Sequence, residues 1–80
     1  MDNQVMEYER FDGCYGTVTS RCGAGAFILL DNGQEAFSYN FSSLTPMTKV
    51  LCTVMRLASE GKKMLVSIDS VIEYAPYLAA

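Results

Sequence analysis

Aromatic rings and cations are the side chains of this chain that could do chemistry. The sequence has no histidine, no glycine-rich loop of the P-loop spacing and no close pair of acids beside a base, so we expect no enzyme. Exposed rings stack on unpaired bases and cations attract phosphates, which is the chemistry of single-stranded nucleic-acid binding. The candidates for it are Phe27, Lys62, Lys63, Arg21 and Arg56.

Strand alternation supports the role of Phe27 and leaves an alternative open. If Ala26 and Ile28 point into a core, Phe27 points outward, where a base could stack on it. The alternative is that the C-terminal tail or a second subunit covers this face. The same alternation turns further apolar side chains outward: Leu29, Leu51, Met55 and Leu65. Such a surface favours a protein partner or a homodimer, and Lys62 and Lys63 could simply protect a hairpin edge.

Composition indicates one small folded domain. Half of the 80 residues are hydrophobic and 19% are charged, unlike a disordered chain. No apolar run has the roughly 18–20 residues that span a bilayer, and the polar, acidic start is unlike a secretory signal. We therefore expect a cytoplasmic protein with no membrane partner. The net charge is −3, but it is unevenly distributed: residues 1–12 carry −3, residues 13–68 carry +2 and residues 69–80 carry −2. We expect an acidic N-terminal arm (residues 1–12), a barrel domain (13–70) and a C-terminal tail (71–80).

The three cysteines predict neither a disulfide framework nor a metal site. An odd number without close spacing argues against paired cysteines, and zinc sites usually show close Cys or His pairs. Cys22 and Cys52 lie in strand-like stretches, where a reduced thiol behaves as a small hydrophobe. We expect buried free thiols and no cofactor.

The pattern of residues predicts an all-β fold. Five runs have the length and composition of strands: residues 14–21, 26–30, 34–39, 49–57 and 62–69. Asn32-Gly33 predicts a hairpin with a type I′ turn. A short helical turn is expected at Ser42 to Leu44, between strands 3 and 4, and a helix over 47–59 is the alternative to the fourth strand. Five short strands with a glycine break after the first suggest a small antiparallel barrel.

Five motifs follow one another in the order and spacing of a known family. They are Gly16-Thr17-Val18, Gly25-Ala26-Phe27-Ile28, Asn32-Gly33 with Glu35, the alternating Val50, Cys52 and Val54, and Val66-Ser67-Ile68. The sequence thus resembles the S-one domain, the RNA-binding domain named after the largest protein of the bacterial small ribosomal subunit. The resemblance covers about two-thirds of the chain. It implies an OB-fold barrel that binds single-stranded RNA, with single-stranded DNA as an alternative ligand.

The resemblance also assigns site residues. Phe27 stands at the family's second-strand aromatic position, and Tyr39 stands where strand three carries an aromatic or a histidine. Lys63, with Lys62 beside it, matches the basic residue that opens strand five. The resemblance therefore adds Tyr39 to the candidate nucleic-acid-binding residues.

The sequence departs from the family at three places. Ala24 stands where the family has an aromatic, Ser59 replaces an acidic residue, and Tyr39-Asn40-Phe41 replaces a run of histidine, β-branched residue and serine. A stacked base contributes about 1 to 3 kcal/mol, so the missing ring predicts weaker binding. The acidic arm could also fold over the basic face and compete with RNA.

Overall fold

The structure, a computed structural model, describes residues 7–40 and 44–73. Five strands occur there: β1 (Gly13–Cys22), β2 (Gly25–Leu30), β3 (Glu35–Ser38), β4 (Lys49–Arg56) and β5 (Met64–Glu73). The helical alternative over 47–59 is therefore wrong, because most of that stretch is β4. The described ranges contain no helix, and so none that could cross a membrane. Of the helical turn predicted at Ser42 to Leu44, only Leu44 is described, outside any regular element.

The strands close into a barrel in the order β1-β2-β3-β5-β4. Four neighbouring pairs are antiparallel, but β3 and β5 are parallel, with Ala36 opposite Met64 and Phe37 opposite Leu65. The prediction of an antiparallel barrel is wrong at this seam. An odd number of strands cannot alternate in direction all the way around a closed ring, so one pair must be parallel.

Alternating side chains fill the barrel, as the period-2 pattern predicts. The buried apolar residues are Cys14, Val18, Ala26, Ile28, Leu30, Ala36, Val50, Cys52, Val54, Met64, Val66 and Ile68. The residues between them face outward, among them the predicted Leu29 and Met55, which are exposed, and Leu51 and Leu65, which are half-buried. The outer surface therefore carries several apolar side chains.

The cysteines divide differently from the prediction. Cys52 is buried as expected, but Cys22 is exposed, because it is the last residue before the β1–β2 turn, opposite Gly25. Cys14 is buried instead and lies directly across from Cys52. A hydrogen bond with Cys14 and burial raise the pKa of the Cys52 thiol well above its usual range. Cys52 thus stays protonated, as a core residue rather than a reactive one.

Two hairpins frame the surface described below. In the β2–β3 turn only Gly33 has a positive φ, of 92°, and its N–H bonds the Leu30 carbonyl. This is a type I turn followed by a left-handed glycine, so the predicted type I′ turn is wrong although the hairpin is present. The β4–β5 turn has positive φ at both Glu60 and Gly61, 47° and 81°, which is the type I′ conformation.

Candidate nucleic-acid interface

A row of three aromatic rings lies on the outer surface of the β2–β3 hairpin. The hairpin register places Phe27 opposite Phe37, and Phe37 points outward because Ala36 and Ser38 on either side are buried. Tyr39 follows two residues later. The centroids of Phe27 and Phe37 are 4.9 Å apart, as are those of Phe37 and Tyr39, with interplanar angles of 63° and 80°. These edge-to-face contacts hold the rings in fixed orientations.

Three cations lie beside this row because of the parallel seam. Arg56 ends β4, and Lys62 and Lys63 lead into β5, which pairs with β3. The pairing carries the tip of the β4–β5 hairpin to the rings. The six side chains line one groove of about 390 Å³, called here the aromatic groove: Phe27, Phe37, Tyr39, Arg56, Lys62 and Lys63.

The three cations differ in how far their charge is already engaged. Lys63 Nζ lies 2.6 Å from Glu35 Oε1, and this hydrogen bond and charge lower the pKa of the Glu35 carboxyl. The Arg56 guanidinium donates to the Lys63 carbonyl oxygen at 3.2 Å. Within the described ranges, no ion pair engages Lys62. Lys62 is therefore the cation most available to a phosphate.

The rings also differ in accessibility. Tyr39 is 67% exposed, whereas Phe27 and Phe37 are half-buried. A base needs an open ring face to stack, so Tyr39 offers the largest platform. Beside it, a shallow depression of about 230 Å³ continues across β5, past Leu65, to Met55.

The neighbour of Tyr39 fixes this end of the groove. The Asn40 side-chain amide donates from Nδ2 to the Ile68 carbonyl at 2.9 Å, and Asn40 Oδ1 accepts from the Ile68 N–H at 3.1 Å. The hydroxyl of Ser38 also donates to Asn40 Oδ1. The amide therefore pairs with β5 as a further strand residue would, and it anchors the backbone that carries Tyr39.

The structure brings together five of the six predicted site residues: Phe27, Tyr39, Arg56, Lys62 and Lys63. Arg21 is not among the residues that line the groove. A bulge between Val18 and Ser20 places Ser20 opposite Phe27 and Arg21 opposite Ala26. Because paired residues share a face, Arg21 belongs to the other face of the hairpin.

Sequence reasoning missed Phe37. The predicted type I′ turn at Asn32 and Gly33 would pair Asp31 with Gln34 and therefore Phe27 with Ser38. The observed turn is one residue longer and shifts the register, so that Phe27 pairs with Phe37. The register, and with it the position of Phe37, depended on the turn type.

The acidic arm is described only from residue 7. Its Tyr8 hydroxyl donates to Asp31, and the Phe11 N–H donates to the Val54 carbonyl at 2.7 Å. These contacts attach residues 8–12 to β4 and the β2–β3 turn. The expected competition between the arm and RNA concerns residues 1–6 as well, which lie outside the described part.

No metal centre is apparent in the described ranges, which contain no group of three or more His, Cys, Asp or Glu side chains that could hold an ion.

No protein-family model matches the chain, and no curated protein or solved structure matches it significantly. The resemblance to the S-one domain therefore stays a prediction from the motifs.

Proposed function

We propose that this chain is a nucleic-acid-binding module that holds single-stranded RNA in the aromatic groove. The observation that carries the proposal is the convergence of three rings and three cations in one groove. Rings bind bases by stacking and cations bind the phosphates between them, so the groove offers both contacts that an unpaired strand needs. Duplexes have no splayed bases to stack, which favours single strands.

The position of the groove on the barrel supports the proposal. OB-fold barrels bind oligonucleotides on strands 2 and 3 and on the loops that join strands 1 to 2 and 4 to 5. Here the rings lie on β2, β3 and the residue after β3, and Lys62 lies in the β4–β5 hairpin. We assign the barrel to the OB type on this basis. The S-one resemblance implies the same fold and the same face.

Phe37 offsets the ring that the sequence lacks at Ala24. Ala24 lies in the β1–β2 turn and brings no ring to the surface. Phe37 contacts both Phe27 and Tyr39, so the groove still contains a continuous aromatic surface. The predicted loss of a stacking platform is thereby reduced, and Tyr39 becomes the main contact.

The number of available cations sets the expected salt dependence. Two to three phosphate contacts with a single strand give a slope of about −1.4 to −2.1 in log affinity against log salt. Raising the salt from 50 to 200 mM should therefore weaken binding about tenfold.

Fluorescence anisotropy with a labelled ten-nucleotide RNA of mixed sequence tests the proposal, at 50 and 200 mM salt. Tyr39→Ala should weaken binding roughly 5- to 150-fold, the value of one stacked base. Lys62→Ala should weaken it several-fold and flatten the salt slope by about 0.7. Matched DNA of the same sequence compares the two ligand classes.

Matched controls come from the segment before β1. Phe11 is an aromatic residue with an exposed fraction of 62%, Arg10 is an exposed cation, and neither lines the aromatic groove. Phe11→Ala and Arg10→Ala should leave RNA affinity nearly unchanged. Absence of saturable binding at 50 mM salt, or equal effects of Tyr39→Ala and Phe11→Ala, would refute the proposal.

A further inference from the structure

A second surface, around Tyr15 on β1, is apolar and separate from the aromatic groove. Tyr15 is 56% exposed, Leu29 43% and Ile72 53%. They line a cavity of about 570 Å³ whose other walls include Thr17, Asp31 and Lys49. No residue lines both this cavity and the aromatic groove. An exposed apolar surface of this kind marks a contact site.

The strand register determines how charge is arranged on this surface. Thr17 on β1 is flanked by Leu29 on β2 and by Lys49 on β4. One step along, Tyr15 is flanked by Leu51 on β4 and by Asp31, whose N–H donates to the Tyr15 carbonyl at 2.9 Å.

The two charges therefore occupy diagonal corners of a patch whose other two corners are leucines. This patch is called the Tyr15 face, and its residues are Tyr15, Thr17, Leu29, Asp31, Lys49 and Leu51.

We propose that the Tyr15 face binds a second copy of this chain as a two-fold dimer. A two-fold axis in the plane of the contact, along the Leu29–Leu51 diagonal, places each leucine against its own counterpart. The same rotation places Asp31 against Lys49 of the second copy, and Lys49 against Asp31. Two ion pairs then border an apolar centre, which is the self-complementarity that an isologous interface requires.

The charge pattern favours a second copy over other occupants of this face. A two-fold axis along the other diagonal would place Asp31 against Asp31 and Lys49 against Lys49, so the charge pattern selects the Leu29–Leu51 axis. In that arrangement the strands of the two copies cross near 90°, which is a known sheet packing. Lys49 has no ion pair within the described ranges. Asp31 accepts the Tyr8 hydroxyl through Oδ1, and its other oxygen can accept further bonds.

Sedimentation equilibrium tests the dimer through a charge exchange. Chain concentrations of about 1 to 500 µM cover the dissociation constants that we expect of a small, weak interface. Asp31→Lys and Lys49→Asp alone each oppose like charges and should sediment as monomers. An equimolar mixture of the two variants restores both ion pairs and should sediment as a dimer, as should a single chain with both substitutions. Leu29→Glu, a change at an exposed position, should also give a monomer.

Circular dichroism shows whether each variant is folded. If Asp31→Lys does not fold, the two separate variants Lys49→Asp and Leu29→Glu are sufficient to test the dimer. A wild-type chain that stays monomeric throughout this range, or a dimer that survives Leu29→Glu, overturns the proposal. So does a mixture that fails to restore the dimer while both variants are folded. If only a chain lacking residues 74–80 forms dimers, the tail and not a second copy occupies the face.

Discussion

A single amide side chain strengthens the narrowest part of the barrel wall. β3 and β5 share only two residue pairs, Ala36 with Met64 and Phe37 with Leu65. Asn40 extends this seam by bonding both the N–H and the carbonyl of Ile68. A primary amide is the side chain that can do this, because it holds a donor and an acceptor at the spacing of a peptide group.

Replacing Asn40 should therefore weaken both the fold and the site. Asn40→Ala leaves the two backbone groups of Ile68 without a protein partner, and we expect a loss of about 1 to 3 kcal/mol in the free energy of unfolding. Asn40→Asp keeps the acceptor and loses the donor, so its loss should be similar. Urea denaturation measures the loss, and hydrogen exchange at the Ile68 amide locates it. An unchanged exchange rate at Ile68 would contradict this role.

The contact between Tyr8 and Asp31 predicts a dependence of stability on pH. Burial and the hydrogen bond to the Asp31 carboxylate raise the pKa of the Tyr8 phenol well above its ordinary value. The folded state then keeps the phenolic proton while the unfolded state loses it above a pH of about 10. The contribution of Tyr8 is thus fully present below that pH and is lost as the pH rises further.

Tyr8→Phe tests this contribution. At pH 8 the variant should be less stable than the wild type by about 1 kcal/mol, the value of one hydrogen bond. Between pH 10 and 11 the difference should shrink, since only the wild type loses stability through Tyr8. Chemical denaturation of both chains at pH 8 and between pH 10 and 11 measures this difference in the free energy of unfolding. A constant difference across this range would contradict the assignment.

The hairpins position the rings, and the β2–β3 hairpin depends on a close approach between the backbones of its two strands. A Cβ added to Gly25 would lie 1.9 Å from the Ser38 carbonyl oxygen, because β2 and β3 cross closely where Ala26 pairs with Ser38. Ser38 lies next to Tyr39 and directly follows Phe37. The glycine therefore allows the hairpin to curve and keep the rings together.

Gly25→Ala and Gly23→Ala are a matched pair of substitutions two residues apart, the first in β2 and the second in the β1–β2 turn. Gly25→Ala must displace backbone, and we expect it to cost more than about 3 kcal/mol or to prevent folding. A Cβ at Gly23 would meet no atom within 4 Å, and that variant should stay within about 0.5 kcal/mol of the wild type. Thermal and urea denaturation of the two variants measure this difference in stability. Similar stabilities would show that the two strands are further apart than the structure has them.

Across the whole molecule, net charge and local charge act in opposite directions. The chain carries a net charge of −3, which opposes a polyanion, but Arg56, Lys62 and Lys63 gather at one groove. Glu35 offsets part of that local charge through its ion pair with Lys63. The proposed RNA affinity is therefore held below what the three cations would allow.

Removing the carboxylate of Glu35 should strengthen binding. Glu35→Gln leaves the Lys63 ammonium free for a phosphate, so RNA affinity should rise several-fold and the salt slope should steepen by about 0.7. Glu73→Gln is the matched control, because it changes the net charge equally at a residue that does not line the aromatic groove. Equal gains for the two variants would assign the effect to net charge instead of the ion pair.

Local patterns in the sequence determined most of the elements. Alternation identified the buried side chains of each strand, Asn32-Gly33 identified the β2–β3 hairpin, and an outward Phe27 followed from its buried neighbours. These features depend on residues a few positions apart, so a single stretch of chain contains the information. Turn type was less predictable, because whether Asn32 adopts a positive φ depends on how the flanking strands twist.

Only the tertiary structure decided which elements meet. The β3–β5 seam joins residues 28 positions apart, such as Glu35 with Lys63 and Asn40 with Ile68, and no local pattern encodes that pairing. Closing five strands into a ring forces one seam to be parallel, and here that seam is β3–β5, which carries Lys62 to the side of Tyr39. The sequence supplied rings and cations separately, and the closure of the barrel placed them in one groove.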